Sequence, residues 1–206
     1  STNGGSVTGV GGTFSNIQNL TGNAQNDTFS IAGGTLSGSI DGGAGNNTLV
    51  ADNVPNQFTI ASTNSGSVTG VGGTFNNIQN LTGNAQNDTF TLAGGTISGS
   101  IDGGAGNNTL IADNVPNQFT IASTNGGSVT GVGGTFSNIQ NLTGNAQNDT
   151  FSIAGGTLSG SIDGGAGNNT LIADNVANQF TIASTNGGSV TGVDRKSTRL
   201  NSSHRT

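Results

Sequence analysis

The chain has no cysteine, methionine, tryptophan or tyrosine, and its four basic residues and single histidine all fall after position 193. Ser1 to Val193 therefore holds no Lys, Arg or His, and its only ionisable side chains are nine aspartates. Without imidazole, thiol, amine, guanidinium or phenol there is no ordinary general base near neutral pH and no Ser/His or Cys/His pair, which argues against an enzyme. Phosphate backbones are held by Lys and Arg, so a body of formal charge −9 excludes a nucleic-acid partner. No apolar run approaches the roughly 20 residues of a membrane span, so no membrane insertion is expected. The missing cysteine removes disulfides but does not separate cytosol from exterior, since only small secreted domains depend on bridges.

Glycine is abundant instead, at 38 of 206 residues, and such a content raises the question of disorder. The apolar content opposes it. Val, Ile, Leu and Phe make up about a quarter of each sixty-residue stretch, above the roughly 20% below which chains tend to stay unfolded. That set is β-branched or aromatic for the most part, which favours strands. Glutamate is absent, and glycine recurs every few residues at about 1 kcal/mol each against a helix interior. No helix is expected.

The sequence repeats at a constant period of 61, without insertion or deletion. STNGGSVTGVGGTF at Ser1 returns as STNSGSVTGVGGTF at Ser62 and as STNGGSVTGVGGTF at Ser123, and a fourth copy begins at Ser184 and runs to Val193. The units are thus 1–61, 62–122, 123–183 and 184–193. Copies one and two exchange Ile31 for Leu92, Leu36 for Ile97 and Val50 for Ile111, apolar swaps of the kind a packed core tolerates best. The chain opens inside a repeat, without initiator Met or signal peptide, and reads as a fragment of something longer.

Each copy divides into two diverged halves, one from Asn56 (NQFTIASTNSGSVTGVGG) and one from Asn87 (NDTFTLAGGTISGSIDGG). Both place an Asn before Phe-x-aliphatic, then a Gly/Ser turn, a short strand and an Asn-led apolar segment. About thirty residues with three short strands make one coil of a parallel β-solenoid, so each copy supplies about two coils. One coil cannot bury its own apolar face, and neighbours about 4.8 Å away complete its hydrogen bonds and core. Six coils would give a rod about 30 Å long. Alternation is clean at Leu36 to Ile40 and at Phe29/Ile31, but broken around Val7 to Val10, where inward and outward faces stay unassigned. Asn16 and Asn47 follow Gly-Gly turns and are candidates for stacked amides. Asp41 has Gly72 as its counterpart in the next half, so like charges are expected at every second coil. An array of immunoglobulin-like sandwiches fits poorly, since each copy is short against the roughly 100 residues of that fold and the chain lacks Trp and Tyr.

The segment GGAGNNTL (Gly42 to Leu49) resembles the calcium-binding nonapeptide of repeats-in-toxin proteins, GGxGxDxUx. Its glycines match, but Asn47 stands where that family has Asp. TGNAQNDTF (Thr21 to Phe29) has the acid at Asp27, with Asn23 and Gln25 in place of glycines. The two lie about twenty residues apart rather than in direct tandem. The resemblance implies a calcium site at Asp27, Asp88 and Asp149; the alternative is that these acids shape turns. No other cofactor is expected. Asp41, Asp102 and Asp163 precede Gly-Gly and Asp52, Asp113 and Asp174 precede Asn, which is ordinary turn chemistry. A polysaccharide-cleaving carboxylate pair lacks the additional groups such sites use. Ice binding would need regular Thr-x-Thr rows, and the halves offer Phe-Thr-Ile, Ser-Val-Thr and Leu-Ser-Gly. Asn-x-Thr sequons at Asn19, Asn26 and Asn46 are explained by composition.

Over Ser1 to Val193 the phrases GSVTGVGGTFSNIQNLTG, NDTF and GSIDGGAGNNTL resemble the Gly- and Asn-rich repeats of very large bacterial exoproteins of the filamentous-haemagglutinin and autotransporter-adhesin type. The resemblance implies a right-handed parallel β-helix, secretion across a Gram-negative envelope, and service as the stalk of a cell-surface adhesin or biofilm-matrix fibre. The partners implied are neighbouring repeats of the same chain, with end-to-end or lateral association of copies through uncapped coils. After Val193 the register breaks, and Asp194 to His204 (DRKSTRLNSSH) look like the translation of a common short-read sequencing adapter. His204 and the basic cluster are accordingly given no role, the alternative being a genuine basic tail.

Overall fold

Turns interrupt the apolar pattern so often that no strand can grow long. The computed structural model, which describes residues 1–190, builds the chain from strands of two to six residues and no helix. The fourth copy is described only to Val190, and the tail expected at 194–206 lies outside the described residues.

The strands fall into sets that recur with the sequence repeat. The first set is β1 (Leu20–Thr21), β2 (Thr28–Ser30), β3 (Ile40–Asp41), β4 (Thr48–Val50), β5 (Gln57–Ser62), β6 (Ser65–Val68) and β7 (Phe75–Asn76). The second is β8 (Asn80–Thr82), β9 (Thr89–Leu92), β10 (Ile101–Asp102), β11 (Thr109–Ile111), β12 (Gln118–Ser123), β13 (Gly126–Val129) and β14 (Phe136–Ser137). The third, incomplete among the described residues, is β15 (Asn141–Thr143), β16 (Thr150–Ile153), β17 (Ile162–Asp163), β18 (Thr170–Ile172), β19 (Phe180–Ser184) and β20 (Gly187–Val190).

Two nine-stranded sheets result. Sheet one runs β1-β3-β7-β6-β5-β9-β11-β15-β17 and sheet two runs β18-β16-β12-β13-β14-β10-β8-β4-β2, while β19 and β20 form a separate hairpin. The chain winds between the sheets, so most neighbours are parallel, six of the eight neighbouring pairs in each nine-stranded sheet. In-register columns carry the apolar face: Phe58, Phe90, Leu110, Leu142 and Ile162 in sheet one, and Phe29, Leu49, Leu81, Ile101 and Phe136 in sheet two. Period-two alternation sends these residues into one core shared by both sheets, with Gln57 and Thr59 of β5 facing outward. Stacked rings extend the columns, with Phe58 and Phe90 centroids 4.5 Å apart and Phe119 and Phe151 4.4 Å apart.

The parallel all-β solenoid matches the expectation from the repeat, and its winding contains a feature that symmetric thirty-residue coils do not foresee. After β5 the chain reverses in a tight hairpin at Thr63-Asn64, and β6 pairs antiparallel with both β5 and β7. Asn64 holds the left-handed turn at φ 55, one of the few conformations in which Asn replaces Gly at low cost. The hairpin explains the broken alternation around Val7 to Val10, whose counterparts Val68 and Val71 are buried at and just beyond the reversal. The offset between parallel neighbours is uneven as a result: Leu20 faces Ile40, but Leu49 faces Leu81 and Ile40 faces Phe75. Eight spacings of about 4.8 Å make each sheet about 38 Å tall, longer than symmetric coils would give, because the hairpin adds strands to the ladder.

Strands β1 to β7 place five members in sheet one and two in sheet two, and β8 to β14 reverse those numbers. Moving one copy along the chain therefore exchanges the sheets. Asp41 and Asp163 lie in sheet one and Asp102 in sheet two, so like charges are spread more widely than stacking on alternate coils would leave them. The neighbours of Asp41 are Thr21 and Asn76, rather than Gly72.

Phe90 is fully buried between Phe58 and Leu110, whereas its counterpart Phe29 lies on an edge strand and is partly exposed. Phe90→Ala should cost about 3–5 kcal/mol in urea unfolding and Phe29→Ala distinctly less. Equal losses would contradict the edge assignment.

Candidate functional site

Two of the three aspartates singled out from the sequence are the buried ionisable groups among the described residues. Asp88 and Asp149 are buried and Asp27 is half-buried. Each precedes a Thr-Phe strand, and the strand that follows about twenty residues later presents an Asn to it. The Asp27 N–H donates to Asn47 Oδ1 at 2.8 Å, the Asp88 N–H to Asn108 Oδ1 at 2.8 Å, and the Asp149 N–H to Asn169 Oδ1 at 2.9 Å. Asn47 thus occupies the position where the nonapeptide comparison expects an acid, and it acts there as an acceptor for backbone. Its Nδ2 donates to the Asn77 carbonyl at 3.0 Å and its own N–H donates to Gln79 Oε1 at 2.6 Å.

On the other side stands a residue that sequence reading did not select. The Asn56 N–H and Nδ2 both donate to Asp88 Oδ1, at 2.7 and 2.9 Å, and Asn117 does the same to Asp149 at 2.8 and 2.9 Å. Asn56 Nδ2 also lies within donor range of the Asp52 and Val54 carbonyls, which fixes the orientation of the amide. The result is a polar column parallel to the rod, buried except at its last member: Asn56, Asp88, Asn108 and half-buried Gln140 bonded in succession, with Asn117, Asp149 and half-buried Asn169 as its next copy. The signal for Asn56 was present, since Asn precedes Phe in both NQF and NDTF.

The column leaves oxygens over. Asp27 Oδ2, Asp88 Oδ2, Asp149 Oδ2, Asn56 Oδ1 and Asn117 Oδ1 are buried without a hydrogen-bond partner. Burial pushes the Asp88 carboxyl above its ordinary range, against the lowering effect of the two Asn56 bonds. Asp41 behaves oppositely: the Asn77 amide and the Gly43 N–H hold its carboxyl below the ordinary range. Asp52 and Asp113 accept from the following residue and from a glycine on a neighbouring coil, the turn chemistry expected of them.

The two toxin-like turns, separated in sequence, are neighbours in space. The Ala44 N–H donates to the Asn23 carbonyl, and Gly43 and Gly45 sit so close to Asn23 and Gln25 that a Cβ on either would meet backbone oxygen at 2.1 or 2.4 Å. Glycine is required in the second turn because the first lies against it. Asn side chains pair beside it, though not at Asn16 or Asn47 as expected: Asn80 Nδ2 donates to Asn46 Oδ1 and Asn141 Nδ2 to Asn107 Oδ1, each at 2.8 Å. Asp27, Asp88 and Asp149 belong to separate turns, and among the described residues no group of three or more His, Cys, Asp or Glu side chains is placed to hold a metal. Comparisons with protein-family models, with curated proteins and with solved structures found no match.

The raised Asp88 carboxyl has a definite linkage sign. Its native state takes up the proton first, so Asp88 burdens stability at neutral pH and the burden lifts as pH falls through the folded value, ending near the unfolded value of about 3.9. Asp88→Asn should be at least as stable as the parent at pH 7 and lack this gain on acidification. Urea midpoints of both chains at pH 7 and pH 4.5 test it, and a large loss for the variant at both pH values would refute it.

Proposed function

We propose that the chain is a non-catalytic structural segment, the repeated stalk of a secreted or surface-attached bacterial adhesin or extracellular fibre. What supports the reading is the seam between copies. Leu49 pairs with Leu81 as Leu110 pairs with Leu142, and Phe58 pairs with Phe90 as Phe119 pairs with Phe151, so one repeat joins the next in constant register through one core. A rod of this kind lengthens with copy number and needs no boundary between copies. Seven strands per copy, divided between two sheets, give an average advance of about 17 Å. The absence of Lys and Arg from Ser1 to Val193 leaves trypsin-like proteases no site there, which suits exposure outside a cell. The Gram-negative surface and the stalk role rest on the repeat resemblance.

Chains carrying three, six and nine copies should lengthen in solution scattering by that same increment, about 17 Å for each copy, while their cross-section stays constant. Antibody to the repeat should label intact cells of the source bacterium. A radius that grows in all directions, or label only after lysis, would count against the stalk.

A second reading, a calcium-responsive module, draws on the buried unpartnered oxygens of Asp88 and Asn56, a donor pair that a cation would satisfy. The same site supplies few further oxygens, because Asp88 Oδ1 already accepts two N–H groups, and calcium takes six to eight. Under this reading the melting temperature rises between chelator and millimolar calcium, and the rise disappears in Asp88→Asn. An unchanged melt in the parent removes it.

A further inference from the structure

Ice binding needs ordered rows of threonine on a sheet face, and the repeat halves compared along the sequence do not show them. The winding of the chain assembles rows of a different kind. In sheet one β5, β9, β11 and β15 lie side by side in parallel register, and their outward positions read Gln-x-Thr, Thr-x-Thr, Thr-x-Ile and Asn-x-Thr. Thr89 and Thr91 stand at the centre of this array, and β6 extends it past β5 with Ser67 opposite Thr59. The next copy starts the same array on sheet two, where Gln118 and Thr120 of β12 lie opposite Thr150 and Ser152 of β16. Every strand concerned lies in the interior of the rod.

The hydroxyls of this face are uncommitted. Those of Thr59, Thr89, Thr91, Thr109 and Thr143 have no hydrogen-bond partner within the protein. Elsewhere on the surface the threonines are engaged: the Thr63 and Thr96 hydroxyls bond each other, as do those of Thr124 and Thr157. β-Branching restricts each side chain to few rotamers, so the array is ordered before any ligand arrives.

The chemistry of the face selects its ligand. No carboxylate stands in the rows from β5 to β15, and the column through Thr143 meets one only at Asp163 of β17, so a charged ligand finds no complement. A protein partner finds none of the aromatic, Met or Arg anchors that carry such interfaces. A sugar ring finds no aromatic surface, because Phe58 and Phe90 of these strands point into the core. What the face offers is a lattice of uncharged hydroxyl and methyl groups, spaced about 4.8 Å between strands and about 6.6 Å along them. Its complement is another uncharged lattice of hydrogen-bonding groups. We propose that the outward faces of both sheets bind the surface of ice, with threonine hydroxyls bonded to its outermost waters and threonine methyls seated between them. The proposal does not depend on the stalk reading, since it concerns the two sheet faces alone.

The test uses the full 206-residue chain, with thermal hysteresis and enrichment in slowly growing ice as readouts. The parent should hold its freezing point below its melting point and concentrate in the ice. Thr91→Tyr and Ser152→Tyr, one on each sheet, should each weaken both effects and together remove most of them. Asn114→Tyr, on an exposed turn outside the rows, should behave as the parent does. Circular dichroism and urea melts check that each variant folds, and Thr89→Lys replaces Thr91→Tyr if that chain does not. A parent without hysteresis or enrichment, a double variant as active as the parent, or an Asn114→Tyr chain as inactive as the double variant would each overturn the proposal. Retention of the parent on cellulose without enrichment in ice would overturn it too, and would assign the face to a neutral polysaccharide.

Discussion

A strand of two or three residues cannot be stable alone, and the whole molecule follows from that limit. Each short segment buries one or two apolar side chains and offers a few hydrogen bonds, far less than the backbone entropy of about 1–2 kcal/mol per ordered residue demands. Only stacking on a like neighbour supplies the rest, through a continuous ladder and an uninterrupted core. The aromatic pairs at 4.4 and 4.5 Å show how tightly neighbours must fit, and the six residues at which the first two copies differ show how little the sequence can drift while keeping that fit.

The buried polar column answers a different problem, that of register. Apolar columns of Phe, Leu and Ile tolerate a slip onto another apolar residue, whereas a buried carboxylate that accepts from both the N–H and the amide of one particular Asn does not. Displacing Asp88 from Asn56 would leave more buried polar groups unmatched than the native arrangement already does. Asn108 and Gln140 extend the same control to backbone, each accepting an N–H from the preceding layer. Specific amide bonds thus place strands that apolar contact alone would only collect.

Much of the fold was legible in the sequence. The absence of helix, the parallel stacking and the inward Phe-x-aliphatic pairs follow from composition and a fixed period, and the turn roles of Asp41 and Asp52 from their Gly and Asn neighbours. The hairpin was less visible, although Asn64 at the end of QFTIASTN carries the left-handed preference that such a turn needs; reading the two halves as equivalent coils hid it. The site was half legible. Asp27, Asp88 and Asp149 stood out as acids, but Asn56 and Asn117 looked like ordinary members of an Asn-rich chain. Their importance comes from burial against an aspartate on the following layer, far along the chain, which no local pattern encodes. The Asn ladder was expected at Asn16 and Asn47; the amide pair formed instead between Asn46 and Asn80, while the Asn47 side chain bonds to backbone, because successive layers are not offset by half the repeat.

The exchange of sheets at every copy gives the rod a parity. A surface group displayed by one repeat faces the opposite side in the next and returns to its first side only after two, so the geometric period is twice the sequence period. Duplication or loss of a single repeat, the commonest change expected in nearly identical tandem DNA, would then do more than alter length. It would turn everything beyond that point by half a revolution about the rod, whereas a change by two repeats would move it along the axis without turning it.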